Sequence, residues 1–398
     1  MLVYLDTGAV AIALVAAAQY ACNGRPRAAR LLWVAAFAVL LAPAALRYDI
    51  GVDYSATMFT SGYLGYWQLY HLYAGQPPAP GMDPGFYLLI RVLNLFTDNP
   101  QWMFAIMSAA TYALVLRACR RLSPSPVFSV TLFLVAGFYF ESYNIARQWF
   151  AIACVMNALE WVGDERLVGS GGVAGESGSR RSFVRYAAWV VLGATMHVSC
   201  LLWLAVWPLT RLRLTPGRAC ACLAGFLVLA FAGVFVVQTF FGQTRFGLYF
   251  DPSSPVYAGA NLRVNAVVTA GFTWLFALVA PRLGRREDER GERAAAPQSA
   301  LYSTLVLCAT LTLAIDLSEA ALPAIVDRVA RYFAPMLILL MPRVLARVDD
   351  VHLRRIFTAL IIVAWLAATY VQVVRGGQYG VVPYQSVFGE LSRAGMLS

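Results

Sequence analysis

Apolar blocks long enough to cross a bilayer, which takes about 20 residues, recur from one end of this chain to the other. Inside lipid every backbone polar group has to be satisfied within the protein, so a chain built of such blocks folds as a helical bundle. Composition agrees, since 60% of the 398 residues are hydrophobic and 13% are charged, whereas a soluble domain has about a quarter of its residues charged. No room is left for a large soluble domain, and residues 1–398 read as one integral membrane domain. The expected fold is all-α, a polytopic transmembrane bundle of about ten full spans plus re-entrant or half helices.

A formal charge of +10 would suit nucleic acid, but all 31 basic residues are arginine and most fall in short segments between apolar blocks. They read as topology signals, and no nucleic-acid partner is expected. Cys22, Cys119, Cys154, Cys200, Cys220, Cys222 and Cys308 mostly lie in or beside apolar runs without a CxxC pair, so they read as small packing residues. HExxH, GxSxG, Walker A and zinc-ligand spacings are absent from the sequence. Neither cofactor nor metal is expected.

Arginine concentrates in short cytoplasmic loops, which places NGRPRAAR, residues 23–30, inside and both chain ends outside. The block at 2–22 lacks a basic n-region and is too long for the apolar region of a signal peptide, so it reads as a first span. Further spans are expected at 31–46, 101–118, 126–141, 145–163, 219–241, 263–281, 300–316, 329–346 and 356–374. Residues 47–84 form an outer loop, followed by an interfacial or re-entrant helix at 85–97 that is too short to cross. Cytoplasmic loops are expected at 164–184 and 282–299, and a second outer loop at 242–262. The block 186–209 carries His197 at its middle and arginine clusters at both ends. Two half-helices meeting at His197 keep both clusters inside.

This layout leaves Arg47, Arg91, Arg147, Arg245, Arg263, Arg328, Arg331, Arg375 and Arg393 outside, against the bias. Ionisable groups close to hydrocarbon are costly and commonly functional, and a guanidinium binds phosphate through planar paired hydrogen bonds. An outer cavity for an anionic, pyrophosphate-like headgroup follows. Arg147, Arg328 and Arg331 are the first candidates, with Arg47 and Arg91 next and Gln148, Tyr54 and Tyr332 in support. The bland alternative pairs each arginine with a nearby acid: Arg47 with Asp49, Arg147 with Glu141, Arg328 or Arg331 with Asp327 or Glu319. His197, Asp53 and Asp83 are the candidates for taking a proton from a sugar hydroxyl.

In order, RYDIGVDY (47–54), MDPGFYLLIRVLNLF (82–96), SYNIARQWFAIA (142–153), ATMHVSCLLWL (194–204) and RVARYFAPMLILLMP (328–342) resemble the EpsG family of Wzy-type exopolysaccharide polymerases. The departure at Val52, where a small polar residue is common, changes little. The resemblance implies a GT-C-like body and a multi-pass enzyme of the bacterial inner membrane with its site facing the periplasm. Its substrate would be an undecaprenyl pyrophosphate-linked oligosaccharide, transferred onto the next lipid-linked repeat unit with inversion and without metal, in exopolysaccharide, O-antigen or capsule synthesis. Membrane lipid, a chain-length regulator and a flippase of the same pathway are the implied partners. A lipid-linked oligosaccharide flippase and a glycan-modifying acyltransferase are the rival functions.

Overall fold

The computed structural model describes residues 1–22, 24–55, 64–162, 176–241, 262–280, 299–323 and 326–389. Residues 56–63, 164–175, 242–261 and 282–298 of the expected loops, together with Arg245 and Arg393, lie outside the described residues. Sixteen α-helices run through the described residues: α1 (Leu2–Ala16), α2 (Pro26–Ala45), α3 (Tyr66–Gly75), α4 (Pro84–Leu93), α5 (Gln101–Leu122), α6 (Pro126–Val135), α7 (Phe138–Glu141), α8 (Ala146–Ala158), α9 (Glu176–Met196), α10 (Leu202–Leu209), α11 (Pro216–Phe241), α12 (Val264–Val279), α13 (Ala300–Ser318), α14 (Asp327–Ala330), α15 (Leu337–Leu345) and α16 (Val351–Thr369). An isolated antiparallel β-bridge joins Arg47 to Ser386.

Among the described residues six segments are long and apolar enough to cross a membrane: Leu2–Ala21, Pro26–Ala45, Gln101–Leu122, Pro216–Val236, Ala300–Ser318 and Val351–Arg375. The runs expected as spans at 126–141 and 145–163 instead hold α6, ten residues long, and α8, thirteen residues long. Gly137 separates them from within the apolar run, taking φ +79°, a left-handed conformation that ends α6. Hydropathy sums across such a break, and so reads a turn as part of a span.

The chain divides into two compact units, Met1–Ala205 with Leu360–Ser398, and Val206–Ala359. In the first, α8 is the central post, packed between α5 and α9. α2 and α5 run antiparallel, because the Gln101 side chain at the start of α5 donates to the carbonyls of Ala45 and, at 3.0 Å, Arg47 at the end of α2. Residues 47–55 lie at that end, held by Gly380 and Gln385 carbonyls that accept from the Gly51 and Tyr48 N–H groups at 3.1 Å. Beneath them α3, α4 and α5 enclose an aromatic core of Tyr54, Tyr66, Tyr70, Tyr73, Phe86 and Phe104. Tyr54 stacks on Phe104 with centroids 4.4 Å apart, a contact worth about 1 kcal/mol beyond burial. The described parts of residues 47–84 therefore form a packed layer around the start of α5.

In the second unit α13 is the most enclosed of the long apolar helices, with 72% of its apolar window buried, and packs against α11, α12, α14 and α15. α11 has only 6% of its window buried. Such a helix presents its apolar surface outward, as a lipid-facing helix does.

Candidate active site

The helix expected to break at His197 does so. α9 stops at Met196, His197 is extended (φ −156°, ψ 103°), and a short 3-10 turn, Val198–Leu201, leads into α10. Tyr186 in the middle of α9 donates its hydroxyl to the Trp203 carbonyl at 2.6 Å, so the chain doubles back beyond the break. Gly193 allows this close return: a Cβ there would sit 2.7 Å from Cys200 Sγ and 3.2 Å from the Ala151 backbone of α8.

The same break receives α4. A Cβ on Gly85 would fall 2.9 Å from the Thr195 carbonyl oxygen, so glycine lets the first turn of α4 press on the end of α9. Asp83, immediately before α4, is thereby delivered to His197. Its Oδ1 accepts from the Val198 N–H at 3.0 Å, and its Oδ2 lies 3.8 Å from His197 Nδ1. From α8, Arg147 Nη1 donates to the same Oδ2 at 2.9 Å. Of the thirteen residues of α8 only Arg147 escapes burial. Its guanidinium lies over the Phe86 ring at 4.9 Å and the Tyr66 ring at 5.6 Å. Arg147 and His197 side chains are each 25% exposed, but Asp83 only 6%. Burial alone would raise the Asp83 pKa, but the His197 contact, the Arg147 charge and the Val198 N–H outweigh it, so the carboxyl titrates below its ordinary value.

The other sequence candidates are placed as follows. Asp53, half-buried, accepts through its backbone carbonyl from the Tyr66 N–H at 2.8 Å. Tyr54 is buried in the stack on Phe104 and directs its hydroxyl to Gln101 Oε1 at 3.3 Å. Gln148 is buried in α8, next to Arg147. Arg91 in the last turn of α4 donates to the Ala74 carbonyl at the end of α3. Arg47 is 1% exposed and sits between the Tyr143 ring (4.6 Å) and the Phe104 ring (5.0 Å). The expected pairing of Arg47 with Asp49 does not form; the Asp49 carboxylate instead accepts from Ser55. Arg147 bonds Asp83, and Glu141 accepts from Trp149 Nε1 at 3.2 Å.

Unit 2 holds a second charged cluster. Arg331 Nε donates to Asp327 Oδ2 at 2.7 Å, one helical turn away, so this arginine does have the local acid as partner. Arg328 is exposed, and Tyr332 is buried. The sequence identified Arg263 as an outer arginine but not as part of a site. It bonds Glu319 through Nε at 3.0 Å and Nη2 at 2.7 Å, and also bonds Asp327. Burial pushes the Glu319 carboxyl up, whereas at Asp327 the two arginines overcome burial and hold it below its ordinary value. Carboxylate oxygens of Asp316, Glu319 and Asp327 lie within 4.8 Å of one another, the one grouping among the described residues with the spacing of cation ligands. Guanidiniums already occupy two of the three. The signal for this cluster was present as three acids and three arginines near the ends of adjacent apolar runs, but which pairs form depends on how α12 and α14 pack on α13.

The sequence pattern of the EpsG family matches residues 30–386. The chain belongs to the EpsG family. That span includes the Arg147–Asp83–His197 group and the Arg263–Glu319–Asp327–Arg331 cluster alike. No curated protein and no solved structure matches the chain. Membership in the EpsG family, with six long apolar helices, makes this a multi-pass membrane protein with a role like that of a polysaccharide polymerase.

Proposed function

We propose that this EpsG-family protein joins repeat units of an exopolysaccharide, transferring a glycan from its undecaprenyl diphosphate carrier to the next lipid-linked unit at the outer face of the inner membrane. The observation that carries the reading is the arrangement of Arg147, Asp83 and His197. A mostly buried carboxylate bonds one guanidinium at 2.9 Å and lies 3.8 Å from one imidazole, both partly exposed. A diphosphate leaving group needs a cation, and an attacking sugar hydroxyl needs a proton acceptor.

In this scheme the acceptor hydroxyl oxygen forms a bond to the anomeric carbon of the donor sugar. The bond from that carbon to the diphosphate oxygen breaks, and its electron pair leaves with the phosphate. Arg147 meets the charge that develops there. The hydroxyl proton passes to His197, whose Nδ1 faces Asp83, so transfer falls to Nε2. Asp83 then acts as a positioning residue, and a single displacement inverts the anomeric centre. Within unit 2, Arg328 and Arg331 are proposed as phosphate-binding residues in their own right.

The test is elongation of a purified lipid diphosphate-linked repeat unit by the protein in liposomes. Wild type is expected to build a ladder of products without added nucleotide, and Arg147→Ala and His197→Ala to make none. Ladders of normal length from both variants overturn the reading. Lipid headgroups that switch leaflets without elongation would instead make the protein a flippase.

A further inference from the structure

At the other end of unit 1, away from the candidate active site, the structure contains a cavity of about 350 Å³ between the start of α2 and the end of α5. Four arginines line it: Arg30, Arg117, Arg120 and Arg121. Glu160 is the carboxylate that meets them, accepting from Arg117 Nη2 and Arg121 Nη1, each at 2.7 Å. Arg117 is fixed further by Asn157 Oδ1 and by the Trp189 ring at 5.4 Å. Arg30 and Arg120 are exposed, and among the described residues neither is in an ion pair. Among the described residues, four guanidiniums meet one carboxylate around this cavity.

The walls decide what kind of anion fits. Between the arginines the cavity is lined by apolar side chains, Trp33, Val34 and Phe37 of α2 among them. Val34 is also 57% exposed and its neighbour Leu31 69%, so the cavity wall continues onto the outward apolar surface of α2. A soluble phosphate or nucleotide would leave that surface unmatched. A molecule with an anionic head and hydrocarbon tails matches both parts, and basic pockets between transmembrane helices hold such headgroups. We infer that the cavity bounded by Arg30, Arg117, Arg120 and Arg121 binds the phosphate headgroup of an anionic phospholipid from the leaflet on the arginine-rich side. The headgroup draws on Arg30 and Arg120, relieves repulsion among the four cations and ties α2 to α5. Arg117 passes that support to α8, whose opposite end presents Arg147. This inference stands whether or not the protein polymerises glycan.

The full chain in nanodiscs tests it, with phosphatidylglycerol added to neutral phosphatidylcholine as the probe. Phosphatidylglycerol is expected to raise the melting temperature of wild type. The Arg30→Gln/Arg120→Gln double variant should lose most of that rise and bind phosphatidylglycerol about thirtyfold more weakly in a native mass-spectrometric titration, each basic residue near a membrane surface contributing about fivefold. Arg25→Gln/Arg27→Gln, which removes the same charge from exposed positions outside the cavity, should keep the rise. No rise in wild type overturns the inference, and equal losses in both double variants do so as well by reducing the effect to general surface charge. Glycerol phosphate, a headgroup without tails, should leave the melting temperature unchanged; stabilisation equal to that by the lipid would overturn the lipid assignment in favour of a soluble anion.

Discussion

At Arg147 the charge and the planar shape of the side chain contribute separately. Arg147→Lys keeps the cation but loses the fork that meets Asp83 and a phosphate together, so elongation is expected to fall about tenfold. Arg147→Ala removes the cation as well, and a loss of about a hundredfold or more is expected, the scale on which removing one transition-state donor acts; initial rates of ladder formation check both. Asp83 ties the site to pH. Its folded pKa lies below the unfolded value, which is about 3.9, so its contribution to stability is complete above roughly pH 4 and is lost as pH falls through the lower folded value. Melting curves of Asp83→Asn should therefore flatten on the acid side relative to wild type, and an unchanged acid limb would rule out this role. In the second unit, Arg263→Gln leaves Glu319 and Asp327 short of a partner, at a cost of about 3 kcal/mol. Adding Glu319→Gln should restore part of that loss in the same unfolding measurement.

Gly85 and Gly193 set how closely the elements of the site approach. Gly85→Val should push α4 from α9 and part Asp83 from His197, abolishing elongation, whereas Gly75→Ala, with nothing within 4 Å of the added carbon, should leave it intact. Paired measurements of melting temperature and activity separate loss of fold from loss of site. The break at His197 was legible because arginines flank 186–209 on both sides, and one straight span would have carried one cluster across. The partner of Arg147 was not legible. Asp83 is 64 positions away, and Glu141 is far nearer in sequence. The pairing follows from α4 docking at the break, which depends on space at Gly85 rather than on any charge pattern. Arg47 shows a different limit, since aromatic rings on α5 and beside α8 compete with Asp49 for it, and neither ring lies close in sequence.

For the whole molecule the arginine bias makes an orientation testable. Gln385, whose carbonyl pairs with Tyr48, is exposed at the end of unit 1 that holds residues 47–55, whereas exposed Arg120 lies at the other end of α5. A membrane-impermeant thiol reagent added to intact cells should label Gln385→Cys but not Arg120→Cys above the parent background. The reverse pattern would place the candidate site on the cytoplasmic face. The contacts around residues 47–55 also bear on how the protein is made. Tyr4 donates its hydroxyl to the Val381 carbonyl at 2.9 Å, 377 positions away, and Leu46 pairs with Val387. Bonds between segments so far apart cannot form until the helices between them have been made and inserted. Residues 47–55 are therefore tied down only after the helices between them and residue 380 are in place, so synthesis interrupted before residue 380 yields inserted helices that lack these bonds.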